Sequence, residues 1–551
     1  MYTYSYKNLQ EIAKTEKGKK YIDEFKKYYE EKFQDNPITV LPFSMYKLFF
    51  TDGDRKTFER AFFSRRERLT ILQVLSIADD KYISELEDII SAIIDEYSWI
   101  VPAHAYLKLD LFSTETARML AETLFVFQDK ISEILRERVK ESVFRKVIEV
   151  YENNAFWWDK TDCNWAAVCG CGVGLAYLYL FPERFENVKG RLFNTFKSFL
   201  SGFDEQGFCY EGVNYWQYGF SNFCVFFDAY EKLGNARPDF IDSEKVKNVI
   251  HYVQNARMSE DVYLPFADGG YPTWQMNANS AYAIKLLYSN EFKFNKMSKF
   301  LPSHVGLSLR GLYGVTVFDE QENLSQKEES IYYKKTQVFI RKRKNYSFAV
   351  QCGNNGIIHN HNDVGAFQIV KNNKRVICDF GAGLYNKEYF GTDEQRYKIF
   401  ACNSLSHSVP IVDGELQMYG EKYHGDVISQ NENEIVMDIS KAYKNAPESL
   451  TVCYRTETDC VSVKYFVKGV KESIDFHFVS DVEPIVEENG IRLGDAFLSC
   501  DLEIKPEISH RKELPHNPSR SKEGEFPRDA YLIDFKVFGK SEVNAQFVFN
   551  L

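Results

Sequence analysis

The chain has 551 residues, more than one hydrophobic core usually supports, so its length predicts two or more domains. Its formal net charge of −11 argues against a nucleic-acid partner and gives no general attraction to anionic polymers. No uninterrupted apolar stretch reaches the roughly 18 residues of a membrane span. The first residues lack the apolar segment of a secretory leader, so we expect a cytoplasmic protein, or a periplasmic one if a leader was removed.

The first 300 residues have helical periodicity. Apolar residues recur every three or four positions with charges on the opposite face, as at Ile83, Leu86, Ile89, Ile90, Ile93 and Ile94. We predict helices at 104–129, 164–181, 185–202 and 215–233. No fixed-period repeat indicates a solenoid, whereas helix pairs closing into an incomplete α/α toroid fit the pattern.

The periodicity changes to that of β-strands after Pro302. Ile474, Phe476 and Phe478 alternate with polar residues, and 532–538 and 546–551 also have the pattern of strands. We therefore predict a helical α/α toroid over residues 1–305 and an antiparallel β-sandwich over residues 306–551, with a polar loop at 319–329. The eleven cysteines are irregularly spaced, and several lie in apolar runs, which predicts reduced core residues.

The stretch from His359 to His407 contains several side chains that can bind a metal or transfer a proton. Three of them are histidines, and the whole chain has only ten. His359 and His361 are two positions apart and face the same side of an extended strand. Asp363 follows them, Asp379 ends a short β-type run, and His407 follows a loop. Two imidazoles and a carboxylate can hold zinc, but hydrogen-bonded loop histidines are an open alternative.

Longer motifs in the same stretch resemble the signature of the heparinase II/III-like polysaccharide lyases. These motifs are HNHNDVGAF from His359, CDFGAGLY from Cys378, Arg396, and SHSVPIVDGELQ from Ser406. The resemblance covers about residues 150 to 420. It implies an α/α toroid followed by an antiparallel β-sandwich, a catalytic role for His359, and a structural zinc near the active site bound by His361, Asp379 and His407.

The helical half contains two further segments that match this family. Asn164 matches a residue that helps to neutralise the substrate carboxylate, and Trp165 stands where some members have a histidine. The segment 210–219 resembles the one that carries the catalytic tyrosine, with Tyr215 the better match and Tyr218 the second. Substrate contacts are predicted for Glu211, Trp216, Tyr218, Trp165 and Arg396, and the turn 266–270 is expected to line the cleft.

The resemblance implies a carbon–oxygen lyase that cleaves uronate-containing glycans by β-elimination. Such an enzyme removes the C5 proton, stabilises the resulting dianion and protonates the leaving 4-oxygen. Asn164 and His359 are expected to bind the carboxylate and Tyr215 to act as the acid. The base stays open: it is either Tyr215 itself or a separate group, Tyr389 or His359. The expected partner is an acidic oligosaccharide or polysaccharide. The sequence leaves open the glycan, endo or exo action, the choice between Tyr215 and Tyr218, and whether the chain forms a homo-oligomer.

Two other functions fit parts of the sequence. A glycoside hydrolase on a helical toroid would use paired acids such as Glu211 and Asp268. A non-catalytic glycan-binding protein would need aromatic surface but neither Tyr215 nor His359. A polyanionic substrate also requires local positive charge, for which the candidates are two basic runs that can equally be solvated faces: Lys334, Lys335 and 341–344, and Arg65, Arg66 and Arg68.

Overall fold

The computed structural model describes residues 4–269, 276–288, 291–292, 305–315, 327–357, 359–516, 520–521, 524–525 and 527–551. The chain forms two compact units. The first comprises Met1–Phe203, Trp216–Ile250 and Gln275–Glu322, and the second comprises Asp204–Tyr215, His251–Trp274 and Asn323–Leu551. This division differs from the predicted single boundary after residue 305. Most of the loop predicted at 319–329 lies outside the described residues, which resume at position 327.

Two segments from the helical half belong to the second unit because they are hydrogen-bonded to its strands. The side chain of Gln206 donates to the carbonyl of Tyr332 and accepts from the backbone N–H of Lys334, both at 2.8 Å. The carbonyl of Gln254 accepts from the Lys342 ammonium at 3.0 Å. These contacts fix the chain segments that carry Tyr215 and Asp268.

The described residues contain fifteen α-helices. They are α1 Tyr6–Lys14, α2 Glu16–Lys32, α3 Phe43–Asp52, α4 Lys56–Ala78, α5 Ile83–Ile94, α6 Leu111–Val126, α7 Glu133–Val143, α8 Glu149–Glu152, α9 Asn164–Leu180, α10 Pro182–Ser201, α11 Val213–Lys232, α12 Glu244–Asn255, α13 Ala278–Leu287, α14 Ser308–Gly314 and α15 Asp393–Arg396. The four predicted helical segments correspond to α6, α9, α10 and α11. The apolar stripe predicted around Ile89 is the buried face of α5.

Helix α9 packs closely on α6, and its glycines make this approach possible. A Cβ atom added at Gly172 would lie 2.5 Å from the carbonyl oxygen of Thr114 on α6. A Cβ atom at Gly174 would lie 2.4 Å from the ring of Phe226 on α11. Any larger side chain at these positions would therefore push neighbouring helices of the first unit apart.

The described strands all pair in antiparallel fashion. They are β1 Glu329–Tyr333, β2 Val338–Lys342, β3 Tyr346–Gln351, β4 Asn354–Asn355, β5 Phe367–Lys371, β6 Lys374–Ile377, β7 Ile411–Val412, β8 Gly420–His424, β9 Asp426–Gln430, β10 Glu434–Asp438, β11 Ser449–Thr456, β12 Cys460–Lys468, β13 Ser473–Ser480, β14 Ile485–Glu487, β15 Gly490–Leu493, β16 Ala496–Cys500, β17 Glu507–Glu513, β18 Arg520–Ser521, β19 Gly524–Glu525, β20 Arg528–Phe538 and β21 Glu542–Asn550.

Three larger sheets share the core of the second unit. Their strand orders are β1-β2-β3-β5-β6, β14-β15-β16-β21-β12-β11-β10-β9 and β17-β20-β13-β7. Phe348, Phe478 and Phe547, one from each sheet, are fully buried in one cluster. The alternating burial along β11, β12 and β21 is the two-residue period that the sequence predicts. Strands β13, β20 and β21 confirm the three predicted strand segments.

One further sequence expectation, that the cysteines are reduced, agrees with the structure. All eleven cysteines are free, and eight of them are buried. Among the described residues, no helix is both long enough and apolar enough to cross a membrane.

We expect Gly172→Ala to lower the free energy of unfolding by about 1–3 kcal/mol, because the added methyl group overlaps backbone atoms of α6. Gly190→Ala is the matched control, since Gly190 lies within α10 and has open space around it. That change should be neutral or stabilising by roughly 0.5–1 kcal/mol. Thermal unfolding of both variants measures the two changes in stability. Equal changes in Gly172→Ala and Gly190→Ala would contradict the close packing of α9 on α6.

Candidate active site

A buried carboxylate, Asp268, is the centre of a hydrogen-bonded cluster in the second unit. Its Oδ2 atom lies 2.6 Å from Nδ1 of His359, and its Oδ1 atom lies 3.1 Å from Nε2 of His361. The Tyr389 hydroxyl donates to Oδ1, and the Arg396 guanidinium approaches the same oxygen at 3.5 Å. Asp268 is almost fully buried, so these donors replace the water that it loses.

The hydrogen bonds assign a tautomer to each neutral imidazole. A carboxylate only accepts, so His359 donates from Nδ1 and His361 donates from Nε2. The neutral ring of His359 then has its lone pair on Nε2, and that of His361 has its lone pair on Nδ1. Burial raises the pKa of Asp268, but the bonds from both histidines outweigh burial and hold that pKa well below its usual range.

Backbone strain accompanies this cluster on both sides of the Asp268–His359 bond. Ala267 has a φ of 59° and His359 a φ of 62°, in the left-handed region that non-glycine residues rarely adopt. Such conformations cost roughly 1–3 kcal/mol each and persist where surrounding contacts hold them. The predicted 266–270 turn thus contributes Asp268 to the cluster. Gly270 of that turn lies outside the described residues.

Tyr215 lies against the outer side of the cluster. Its ring stacks on His359 with the centroids 4.4 Å apart, and its hydroxyl lies 2.7 Å from the hydroxyl of Tyr385. The Tyr385 ring in turn packs against His516, with the centroids 3.6 Å apart. Tyr215 and Tyr385 are both partly exposed. Burial, followed by the charge of Asp268, raises the pKa of each phenol well above its usual value, which keeps both protonated.

Tyr389 and Arg396 are interior members of the cluster. The side chain of Tyr389 is fully buried and its hydroxyl faces Asp268. Arg396 also donates to the backbone carbonyls of Tyr389 and Asn360, each at 3.1 Å, and its guanidinium lies over the Tyr389 ring. Both side chains are therefore engaged with Asp268 and its supporting loop. The predicted roles of Tyr389 as base and Arg396 as substrate ligand do not fit these positions.

Glu211 lies near Nε2 of His359, the ring nitrogen that does not bond to Asp268. Its Oε1 atom is 3.7 Å from His359 Nε2, and its side chain is largely buried. Like Asp268, it belongs to the second unit. The predicted acid pair of a hydrolase is thus present around one imidazole, but Asp268 is fully occupied by its four donors.

The predicted metal ligands converge. His361, Asp379 and His407 are all buried, and one ligand atom from each lies within 4.8 Å of the others. Nδ1 of His407 lies 3.1 Å from Oδ2 of Asp379, whereas among the described residues hydrogen-bond partners are lacking for Nδ1 of His361 and Nε2 of His407. Buried polar atoms without partners are costly, and a metal ion would satisfy them. The donor set suits a transition metal such as zinc.

Asp363, another member of the histidine-rich stretch, lies at the edge of this triad. Its Oδ2 atom is 3.9 Å from Nδ1 of His407 and accepts a hydrogen bond from Gln351. Burial raises its pKa to about 7. Asp363 is therefore a neighbour of the triad with a side chain fixed by the sheet.

A second set of contacts holds the loop that carries His407. His477 on β13 has Nδ1 2.5 Å from Oδ1 of Asp534 and Nε2 3.1 Å from the carbonyl oxygen of Leu405. Leu405 lies in a short 3₁₀ turn, Ser404–Ser406, immediately before His407. The sandwich core thus positions one end of the predicted metal site.

The other predicted site residues lie in the first unit. Asn164 is the first residue of α9 and is buried, whereas Trp165 is half-buried and packs against Trp157 and His104. Tyr218 donates to the carboxyl group of Glu115 at 2.9 Å. Trp216 is fully buried and donates to the carbonyl of Val249 at 2.8 Å. Trp216 is thus a core residue, and its predicted contact with substrate does not fit this burial.

Most of the predicted basic residues are paired inside their own unit. In the first unit, Arg65 and Arg66 both contact Glu96, and Arg68 contacts Glu85. In the second, Arg341 pairs with Glu432, Lys342 pairs with Glu329, and Arg343 bonds to Asn433 and the carbonyl of Thr456. Lys335 lies over the ring of Tyr210. The solvated-face alternative also fails for Arg66, Arg68, Arg341 and Lys342, because they are buried.

No family model matches the chain, and no curated protein is similar to it in sequence. Solved structures do match it over almost its whole length. A heparinase III structure aligns with a TM-score of 0.62 and 12% identity, covering 96% of this chain and 91% of that one. A mutant heparan sulfate lyase HepC from Pedobacter heparinus aligns with a TM-score of 0.59 and 12% identity, covering 98% and 91%.

A more distant match has the same architecture. The chondroitin AC lyase of Streptomyces coelicolor A3, in complex with chondroitin sulphate, aligns with a TM-score of 0.59 and 7% identity, covering 99% of this chain and 82% of that one. The chain has the fold of these polysaccharide lyases. The predicted fold class, an α/α toroid with an antiparallel β-sandwich, is confirmed. At these identities the match to the lyase fold carries no residue roles.

The buried Glu115 in the first unit predicts a pH-dependent stability. Burial raises its pKa to about 8 from a usual value of 4.5, so the folded chain binds this proton more tightly than the unfolded chain does. Its stabilising contribution is complete below about pH 4.5 and is lost as the pH rises through about 8. Unfolding free energy should therefore fall by a few kcal/mol over this interval, and Glu115→Gln should flatten the profile.

Urea unfolding at about pH 5 and about pH 9 measures this effect. Glu141→Gln is the control, because Glu141 is an exposed residue of α7 whose carboxylate pairs with the exposed side chain of Arg145. A wild-type slope that persists unchanged in Glu115→Gln would contradict the assignment.

The convergent triad predicts metal-dependent stability. Removal of bound metal with a chelator should lower the unfolding temperature, and zinc at about 100 times its dissociation constant should restore roughly 2.7 kcal/mol. His407→Ala should remove this response, because the variant lacks one of the three ligands. His510→Ala, which alters an exposed histidine on β17, should retain it. A zinc response that persists in His407→Ala would place the metal elsewhere.

Proposed function

We propose that the protein is a polysaccharide lyase that cleaves uronate-containing glycans by β-elimination and leaves an unsaturated uronate at the new end. The observation that supports this most directly is the arrangement of His359, held by Asp268 and stacked on Tyr215, within a chain of lyase fold. An acid and a base then lie together on one partly exposed surface. The partner is an acidic oligosaccharide or polysaccharide.

His359 is proposed as the base. Its Nδ1 donates to Asp268, so Nε2 has the lone pair and lies on the side of the ring away from that carboxylate. Nε2 removes the C5 proton, and the electrons of the C5–H bond move into the carboxylate-stabilised carbanion. The imidazolium that forms is stabilised by Asp268 on one nitrogen and by Glu211 on the other side.

Tyr215 is proposed as the acid. Its raised pKa keeps the phenol protonated until the leaving group needs the proton. The carbanion electrons form the C4–C5 double bond, the C4–O4 bond breaks, and the Tyr215 hydroxyl donates its proton to O4. The hydroxyl of Tyr385 donates to the phenolate that remains, which lowers the cost of forming it. Proton exchange with water restores both groups.

The other predicted residues take supporting roles in this proposal. Asn164 is proposed to bind the substrate carboxylate, as the family resemblance implies. Tyr389 and Arg396 act on Asp268 rather than on substrate, because their polar atoms face that carboxylate and the backbone around it. Tyr385 takes the place of Tyr389 as the second tyrosine of the reaction. We assign no substrate contact to Trp216, and Tyr218 is engaged with Glu115.

Zinc is the proposed metal, bound by Nδ1 of His361, Oδ2 of Asp379 and His407. The unsatisfied buried nitrogens of His361 and His407, together with the nearby Asp379 carboxylate, support a bound cation. When bound, zinc would supply a fixed anchor for the loop that carries His359, since one residue separates His359 from His361. Asp268 then connects the two functions, because it orients His361 through Nε2 and His359 through Nδ1.

Hydrolysis by Glu211 and Asp268 is not favoured. A general acid needs a carboxyl group that is protonated near neutral pH, whereas the pKa of Asp268 is held well below its usual range. Asp268 is also buried and saturated with donors, so it has no access to a glycosidic oxygen. Glu211 alone does not provide the pair that hydrolysis requires.

Elimination is tested by ultraviolet absorbance on a panel of uronate oligosaccharides, because only elimination creates the unsaturated product. We expect His359→Gln and Tyr215→Phe each to lower kcat by about 10²–10⁴-fold. Tyr423→Phe, which alters a tyrosine on β8, is the matched control and should keep wild-type activity. Reducing ends released without absorbance would instead indicate hydrolysis, and binding without cleavage would indicate a glycan-binding protein.

A substrate with an aryl leaving group at C4 separates the two roles. An acidic leaving group needs little protonation, so Tyr215→Phe should recover most of its activity on that substrate. His359→Gln should remain impaired, because the C5 proton must still be removed. Recovery in His359→Gln but not in Tyr215→Phe would reverse the assignment of acid and base.

A further inference from the structure

Two tryptophans and a histidine of the first unit form an aromatic surface that the proposed reaction does not use. We propose that this surface binds the glycan: a pyranose ring stacks on Trp157, and a neighbouring hydroxyl group hydrogen-bonds to His104, with Trp165 between the two. The inference adds a binding site to the proposed lyase function, and it rests on that function for the identity of the ligand. All three residues belong to the first unit.

Trp157 lies on a rigid turn. It is 50% exposed, whereas the next residue, Trp158, is fully buried. Trp158 stacks on Phe156 with the ring centroids 4.9 Å apart, and Asp159 closes the turn by accepting from the backbone N–H of Phe156 at 3.1 Å. Arg191 donates to the same carboxylate oxygen at 2.6 Å. The exposed indole therefore has a fixed base, so little freedom is lost when a ligand binds to it.

Three other rings form a row with Trp157. The centroids of Trp157 and Trp165 are 5.0 Å apart and their planes meet at 47°, so the two indoles form an angle rather than a stack. Trp165 contacts His104 at a centroid distance of 5.2 Å, and His104 lies parallel to Phe112 at 5.6 Å. Aromatic rings at such distances attract one another, so these contacts hold the exposed indole and the imidazole in place.

His104 is oriented by a buried carboxylate. Its Nδ1 atom lies 2.9 Å from Oδ2 of Asp110, and Oδ1 of Asp110 accepts from the backbone N–H of Ser113 at 2.8 Å, as the N-cap of α6. A carboxylate only accepts, so Nδ1 carries a proton. Nε2, the other ring nitrogen, has no hydrogen-bond partner among the described residues. A sugar hydroxyl both donates and accepts, so it suits Nε2 whether or not that nitrogen is protonated.

An exposed indole beside a fixed imidazole suits a sugar better than a purely apolar partner. A pyranose has an apolar C–H face and a rim of hydroxyl groups, so it needs one flat apolar surface and a few polar atoms at the edge. An apolar partner would cover His104 without giving Nε2 a hydrogen bond, which costs free energy. Trp165 also directly follows Asn164, the proposed ligand of the substrate carboxylate, at the start of α9.

Binding is measured in the His359→Gln variant, so that cleavage does not consume the ligand. The probes are oligosaccharides of heparosan, chondroitin, hyaluronan and alginate, with dissociation constants determined by isothermal titration calorimetry. We expect Trp157→Ala to weaken binding of the best probe about threefold to tenfold, and Trp157→Phe, which keeps a ring face, to restore most of the affinity. Unchanged affinity in Trp157→Ala, or no binding of any probe, would overturn the inference.

Phe50→Ala is the matched control for the loss of an exposed ring. Phe50 is 58% exposed on α3 of the same unit, so its replacement should leave the affinity unchanged. An equal loss of affinity in Phe50→Ala and Trp157→Ala would overturn the assignment, because the effect would then be general to exposed aromatic residues of this unit.

His104→Phe tests the hydrogen bond. Phenylalanine keeps a ring against Trp165 and Phe112 but lacks Nε2, so the affinity should fall about twofold to tenfold. Unchanged affinity in His104→Phe would remove the imidazole from the site. The Trp157→Ala measurement holds even if His104→Phe folds poorly, because Trp157 is a surface residue.

Steady-state kinetics separate this inference from the proposed reaction. Trp157 has no proton to transfer, so Trp157→Ala should raise KM and leave kcat unchanged in the ultraviolet assay. A lower kcat with unchanged KM would overturn the binding role. If the wild type bound a probe through Trp157 and produced no absorbance, the lyase proposal would fail and the binding site would stand. If absorbance appeared but KM and affinity were unchanged in Trp157→Ala, the reaction would stand and the binding site would fail.

Discussion

The site depends on one buried carboxylate that four donors share. Removing Asp268 from water costs several kcal/mol, and the histidines, Tyr389 and Arg396 offset that cost only in the arrangement observed. Because the carboxylate accepts from both imidazoles, it sets the tautomer of His359 and of His361 together. The same carboxylate therefore leaves Nε2 of His359 available for proton transfer and Nδ1 of His361 available for a metal.

The backbone conforms to this interaction. Ala267 and His359 both adopt left-handed backbone conformations, which alanine and histidine rarely adopt without support from surrounding contacts. The segment that carries Asp268 also leaves the helical half of the chain and joins the second unit. Hydrogen bonds to the strands, such as that from Lys342 to the carbonyl of Gln254, hold it there. Local strain at the site is therefore supported by a well-packed sheet.

Much of the fold was predictable because it follows from short-range patterns. The two-residue alternation of β13 and β20 and the apolar stripe of α5 each report which face is buried. The metal triad was predictable for another reason, since its three residues lie within one continuous stretch that matches a family motif. Their convergence within 4.8 Å agrees with that prediction.

The role of Asp268 was not predictable from such patterns. It is 91 residues from His359 and 121 from Tyr389 in the sequence, and a lone aspartate before two glycines has no distinctive signal. Tyr385 and His516 were missed for the same reason, because only the folded chain brings them together. The basic runs were misleading because residue type reports charge but not the partner that neutralises it, as for Arg341 and Glu432.

The most direct test of this account is the protonation pattern of the two imidazoles, measured by ¹⁵N-histidine NMR of the folded chain. Resonances would be assigned by their loss in His359→Gln and His361→Gln. The account predicts that neutral His359 has its proton on Nδ1 and that His361 has its proton on Nε2, and that Asp268→Asn alters both. A proton on Nδ1 of His361, or spectra unchanged in Asp268→Asn, would contradict the claim that one carboxylate organises the site.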